Sequence, residues 1–247
     1  MPLARGGRPL KRWTWVGVFG PEAILCAARV TVAGVPVAWW CVLDRVSGVA
    51  VEGRGGVSVS ASSLRVRGRA ELAFEVAGDP VEVVSPHDGS YAWTRKTPAR
   101  ASGWVAARGE RRPLDAHAIV DESAGYHARR TAWRWSAGVG TTPSGAPVAW
   151  NLVAGMHDGD EASERTVWLD GAARAVAPAT FGDDLGWAGG EPWRIACARE
   201  HVLRLRTNFV VARSDLEQRF GAVTGSLPFA GELAAAWGVM ERHDVRW

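Results

Sequence analysis

Arg12-Trp-Thr-Trp-Val-Gly-Val-Phe-Gly20 is the stretch that sets the fold class. Trp13 and Trp15 are two residues apart, so on an extended chain they share one face. The run ends at Gly20-Pro21, a turn signal. Outward from it, Ala23–Val32 and Val37–Leu43 are apolar and separated by Ala33-Gly-Val-Pro36, which reads as a hairpin. Val49–Val59 is glycine-rich and reads as a loop or weak edge strand. Ser63–Arg69, Glu71–Val76, Val81–Val84, Ser90–Lys96 and Ser102–Ala107 continue the pattern. Turn signals at roughly 8–12-residue spacing are the cadence of an all-β chain.

Arg108-Gly-Glu-Arg-Arg-Pro113 is charged, carries Gly and Pro, and lies near the midpoint, as a linker would. The expected organisation is two tandem antiparallel β-barrels, residues 1–112 and 113–247. Each half has a Trp-flanked strand near its start, which hints at a two-half similarity. In the second half, strands are expected over Ala116–Val120, Arg130–Val139, Pro147–Met156, Glu164–Leu169, Ala172–Val176, Trp193–Arg199, His201–Val211 and Leu216–Leu227. The segment 232–247 mixes an Ala-rich helical composition with a period of two at Trp237, Val239, Val245 and Trp247. It is read as strand, because the last strand of a barrel must pair.

Composition narrows the function classes. The chain has 247 residues, 47% of them hydrophobic, and a net charge of +3. That suits a folded domain with a sizeable core. No basic run exceeds two residues, so no nucleic-acid partner is expected. No window offers the roughly 20 apolar residues of a membrane helix, and no signal-peptide core follows the basic N-terminus. A cytoplasmic protein is expected, with Cys26, Cys41 and Cys197 as buried free thiols. Fourteen tryptophans against six phenylalanines and two tyrosines favour wide apolar spaces lined by large rings.

The nucleotide-binding, zinc-protease and serine-hydrolase signatures are absent, and neither a cofactor nor a metal is expected. Chemistry gathers in Asp121-Glu-Ser-Ala-Gly-Tyr-His-Ala-Arg-Arg-Thr-Ala-Trp-Arg-Trp135. There Thr131, Trp133 and Trp135 share a strand face. This segment reads either as a cavity wall with an acid at its mouth or as a turn whose arginines pair with Asp121 and Glu122. Asn151, Val153, Gly155 and His157 are placed on one face of the next strand. His157 stands before the acidic loop Asp158, Asp160, Glu161, as a tuned acid/base or as a strand-end residue. Glu164, Thr166, Trp168 and Asp170 form a further polar face, which either sees solvent, the default, or lines a wet barrel interior, and Glu241, His243 and Asp244 have the same two readings.

Gly6-Gly-Arg-Pro-Leu-Lys-Arg-Trp-Thr-Trp-Val-Gly-Val-Phe-Gly20, the Asp121–Gly140 segment, Val148-Ala-Trp-Asn-Leu-Val-Ala-Gly-Met-His-Asp158, Glu164-Arg-Thr-Val-Trp-Leu-Asp-Gly171 and the closing Trp237…Glu241-Arg-His…Arg246-Trp247 resemble the bacterial family called domain of unknown function 2804. More distantly the chain resembles tandem lipocalin-like proteins, a group that includes carotenoid hydratases. That resemblance implies two lipocalin-like barrels and an apolar ligand. For a hydratase or cyclase it implies Asp121 or Glu122 as proton donor and His127 as orienter, with Trp133, Trp135, Trp150 and Trp168 as the cavity wall. Asn151 and His157 join them as expected ligand contacts. The hydratases carry an Asp between the aromatic residue and the His of their motif, and Gly125-Tyr-His-Ala-Arg129 lacks it. Three readings stay open: a lipocalin-like binder of an apolar lipid or isoprenoid, a cofactor-independent hydratase, cyclase or isomerase, and a structural or protein-interaction β protein.

Overall fold

The computed structural model describes residues 1–87, 89–159, 163–208 and 213–246. Asp160, Glu161 and Trp247, and the end of the strand expected over His201–Val211, lie outside the described residues. Two large curled antiparallel sheets, with a two-stranded sheet of Ala4–Arg5 and Arg8–Pro9 before them, make up the fold, as the all-β expectation requires.

The first sheet uses β1 (Lys11–Phe19), β2 (Ala23–Val32), β3 (Val35–Asp44), β4 (Val49–Arg54), β5 (Val57–Ser60), β6 (Ser63–Val66), β7 (Ala70–Val76), β8 (Val81–His87), β9 (Ser90–Val105) and β10 (Arg112–Gly125). Its order is β4-β3-β2-β1-β10-β9-β7-β6-β5, with β8 also paired to β9. The second sheet uses β11 (Arg130–Thr141), β12 (Pro147–Ala154), β13 (Thr166–Leu169), β14 (Ala172–Ala175), β15 (Thr180–Phe181), β16 (Trp187–Gly190), β17 (Trp193–Cys197), β18 (His201–Asn208), β19 (Arg213–Leu227) and β20 (Ala235–Arg246). Its order is β14-β13-β12-β11-β20-β19-β17-β16-β15, with β18 paired to β19. The second half thus repeats the first strand for strand, with a two-residue strand at Gly231–Glu232 added. Each sheet is an open half-barrel, since its two end strands are not hydrogen-bonded to each other.

Several local features have plain causes. Ala33 and Gly34 both have positive φ, the primed turn that a two-residue hairpin needs, so β2 ends at Val32 as expected and β3 starts two residues earlier than expected, at Val35. The segments Ser90–Lys96 and Ser102–Ala107 fuse into the single strand β9 through Pro98. Pro98 is tolerated because it falls where the partner of β9 changes from β8 to β7, so no ladder bond on that side needs its missing N–H. The changeover between sheets falls at residues 126–129 rather than at 112/113. Pro113 is the second residue of β10, opposite Trp104, and does not break the chain. Residues 235–246 are strand: pairing with both β11 and β19 overrides the helical propensity.

Three apolar cores follow. Val16, Leu25, Leu64, Leu72 and Val120 fill the first half-barrel. Trp150, Leu152, Ile195, Val223 and Met240 fill the second. The third core lies between the sheets, with Trp15, Phe19, Ile24 and Ile119 against Trp135, Val153, Phe220 and Val239. Gly17 is required there, since a Cβ would sit 2.2 Å from the Trp15 ring and 2.6 Å from Phe19.

Candidate functional site

Directly opposed residues on neighbouring strands share a face. In the first sheet this gives the row Lys96–Asp121–Trp15–Ala28–Trp39 across β9, β10, β1, β2 and β3. In the second it gives Leu203–Gln218–Glu241–Trp135–Val153 across β18, β19, β20, β11 and β12. The two rows meet at one end of the inter-sheet core. Between them lies a narrow cleft, open to solvent, with a cavity volume of about 80 Å³. Trp13, Trp15, Trp39, Trp133 and Trp135 wall it, with Met156, His157 and Leu216. Trp13 and Trp133 stack across the mouth with ring centres 6.4 Å apart, and Trp15 meets Trp135 edge to face at 4.8 Å.

The polar side of the cleft is buried. Lys96 and Glu164 are each 2% exposed, Asp121 7% and Glu241 6%. The Lys96 ammonium lies 2.5 Å from Asp121 and 3.2 Å from Glu164. Burial works against the lysine charge, but the two carboxylates outweigh it and hold Lys96 above the ordinary lysine range. Asp121 is raised above the usual carboxylate value, first by burial and then by Glu164, with Lys96 pulling the other way. Glu241 accepts from the Trp133 indole N–H at 2.7 Å and from the Gln218 amide at 2.6 Å. Burial still raises it to about 7, because those two bonds only partly offset desolvation. One ammonium thus faces three buried carboxyl groups, and burial raises two of them, Asp121 and Glu241, above the ordinary carboxylate range. His243 lies 4.5 Å from the Trp133 ring with Nε2 2.7 Å from the Ser214 hydroxyl. Burial drives it down to about 3, so it is neutral at physiological pH.

Of the residues singled out from sequence, Asp121, Trp133, Trp135 and His157 line the cleft. Asn151 supports it from behind, accepting the Trp135 N–H at 2.7 Å and donating to the Glu164 carbonyl at 3.0 Å. His157 is not on a strand face: β12 stops at Ala154, and His157 sits in the following loop with φ 53°. Its Nδ1 lies 3.0 Å from Ser85 of the other half. Glu122 neighbours Asp121 on β10 and so points to the opposite face. His127 lies past the end of β10, with its ring 4.8 Å from Trp13 and 6.4 Å from His157. Trp150 faces the interior of the second half-barrel and donates to Ser136. Trp168 packs between the sheets away from the cleft and donates to the Asp79 carbonyl. Neither Trp150 nor Trp168 walls the cleft.

Lys96 and Gln218 were not singled out, Trp13, Trp15 and Trp39 were noted as strand tryptophans but not as site residues, and Glu164 and Glu241, left open between solvent and a barrel interior, are both buried. A lone lysine in a strand of a lysine-poor chain was the available signal. A separate group, Cys41, Glu52 and His201, brings ligand atoms within 4.8 Å of one another across the two sheets. It is the set among the described residues whose donors suit a metal such as zinc. The three cysteines are free and buried.

Comparison with known proteins gives the fold a context. No curated protein matches the chain. Kievitone hydratase from Nectria haematococca is 10% identical with a TM-score of 0.51, over 94% of this chain and 88% of that one. A protein of the AttH type from Nitrosomonas europaea is 12% identical with a TM-score of 0.49, over 97% and 93% of the two chains. CghA, solved with Sch210972, is 12% identical with a TM-score of 0.46, over 94% and 88%. At such identity the hydratase likeness concerns the fold alone. The sequence profile of the family described as Domain of unknown function (DUF2804) matches residues 49–247, and the chain belongs to that family.

Proposed function

We propose that this member of the DUF2804 family binds an apolar small molecule, of the lipid or isoprenoid class, in the cleft between its two sheets. The observation that carries this reading is the cleft wall itself: five tryptophans around open space, beside half-barrel interiors filled by their own side chains. Calorimetric titration with farnesol tests it. Saturable binding near one to one is expected, and Trp133→Ala should weaken it at least tenfold. Trp150→Ala, outside the cleft, should leave affinity unchanged in the folded fraction. Absence of saturable binding to the parent protein, or equal loss in both variants, counts against the reading.

A second reading is favoured by Glu241, whose raised pKa of about 7 keeps a proton available beside aromatic faces at neutral pH. In this reading the protein is a hydratase, cyclase or isomerase acting on an isoprenoid double bond. The Glu241 carboxyl protonates one alkene carbon, and the π electrons of that bond form the new C–H bond. The cation left on the other carbon lies against the tryptophan faces. The Glu241 carboxylate produced is held by the Trp133 and Gln218 donors. Water adds to the cation and gives up one of its protons, or the carbon next to the cation loses one, and the Glu241 carboxylate takes that proton, which leaves a neutral product and restores the acid. Glu241→Gln should keep binding and lose turnover, with solvent deuterium entering the product of the parent protein alone. Unchanged turnover in the variant would exclude Glu241 as the donor.

A further inference from the structure

Two polar atoms of the cleft are left over by everything described above. Trp133 donates its N–H to Glu241 and Trp135 donates to Asn151. Trp15 and Trp39 line the same cleft, and their indole nitrogens are buried with no hydrogen-bond partner among the described residues. Trp15 as a whole is 5% exposed. A buried donor without an acceptor costs more than the bond it would have made is worth, so such donors are rare and ask for an explanation. The edge-to-face contact of Trp15 with Trp135 offers at most an N–H···π interaction, a second-order effect. Trp15 and Trp39 stand in one cross-strand row with only Ala28 between them, so both side chains rise from the same face on either side of that alanine. Neither indole N–H is bonded to a carboxyl of the cleft: Glu241 takes Trp133 and Gln218, and Asp121 and Glu164 lie against Lys96.

We infer that the molecule bound in this cleft carries an oxygen acceptor, a carbonyl or a hydroxyl, which receives the indole N–H groups of Trp15 and Trp39. The inference rests on the cleft being the binding site and narrows the ligand class from apolar compounds in general to oxygenated ones. A pure hydrocarbon would leave both buried donors unpaired. An oxygen over Ala28 would satisfy them while the rest of the molecule lies against the rings. Trp15 and Trp39 are then specificity-determining residues.

The test is a mutant cycle with two matched probes, farnesol and farnesene, by calorimetry. Trp15→Phe and Trp39→Phe each keep a ring and remove the N–H. Each should weaken farnesol about tenfold, the worth of one buried hydrogen bond, and leave farnesene unchanged. Indole ¹⁵N–¹H spectra give a readout that does not depend on how the variants fold. The Trp15 and Trp39 signals of the parent protein should move downfield with farnesol and not with farnesene. If both probes weaken equally in the variants, or both move the signals alike, the donors are satisfied by water and the inference is overturned while the cleft remains a binding site. If the parent protein binds neither probe, the reading of the cleft falls first and the inference with it.

Discussion

Lys96 and Gln218 occupy the same place in the two halves. Each stands on the long ninth strand of its sheet, opposite a carboxylic residue that is itself opposite the second tryptophan of the first strand: Lys96–Asp121–Trp15 in one half, Gln218–Glu241–Trp135 in the other. Both carboxyls face the same cleft and both are buried. The partners differ in charge, and so do the consequences. Asp121 forms a buried ion pair, which Glu164 shares. Glu241 has only neutral donors, and burial raises it to about 7. One architecture used twice thus yields a charged site and a proton-holding site facing each other.

Removing the partner in each half should separate them most. Lys96→Met leaves Asp121 and Glu164 buried without a counter-ion and is expected to cost about 3–5 kcal/mol. Gln218→Met removes one neutral donor and should cost about 1–3 kcal/mol. Urea denaturation at pH 7 measures both, and equal losses would break the comparison.

The pH dependence should follow Glu241. Its folded pKa of about 7 lies above the ordinary 4.5, so between those values the folded chain keeps a proton that the unfolded chain has released. Stability from this group is full below about 4.5 and falls as pH rises to about 7, by on the order of 3 kcal/mol. His243 acts in the opposite sense, since its folded value of about 3 lies below the ordinary 6.5 and stability is lost as pH falls through that window. The difference between Glu241→Gln and the parent therefore isolates the Glu241 contribution. That difference should change with pH between about 4.5 and 7 and be flat above it. The absolute gain at high pH should be smaller than the full amount, because the new amide sets an N–H₂ against one of two existing donors. A difference independent of pH would place Glu241 in its ordinary range.

Making the halves alike is a subtler change. Gln218→Lys should bring Glu241 down by about one to three pH units by supplying an adjacent positive charge. The smallest effect is expected from Trp133→Phe, which removes one donor to Glu241, costs about 1 kcal/mol and raises the carboxyl further. Trp13→Phe at the equivalent position should leave the Glu241 titration unchanged, and a two-dimensional carboxyl NMR titration reads all three variants.

Much of the fold was legible because it is written locally. The period of two at Trp13 and Trp15 and at Trp133 and Trp135 gave two equivalent strands, and both Trp135 and Trp15 face the cleft. The chemistry was legible only in part, because it is written across strands. Asp121 was found as one of a local charged group, yet its partner Lys96 lies in a different strand and is brought opposite by register alone. Glu241 meets Trp135 across a pairing that spans nearly the whole second half. Neither pairing leaves a spacing in the sequence. Trp150 and Trp168 show the converse: a strand tryptophan faces either the half-barrel interior or the inter-sheet space, and one-residue parity decides which. The Cys41, Glu52 and His201 group was invisible for the same reason, since His201 comes from the other sheet.

The contrast between the two carboxyls is tested most directly by a ¹³C NMR titration of the glutamate side-chain carboxyls, with Glu241→Gln to assign the signal. A midpoint near 7 for Glu241 is expected. A midpoint near the ordinary 4.5 would contradict a proton held at neutral pH and leave the cleft with two ordinary charged sites.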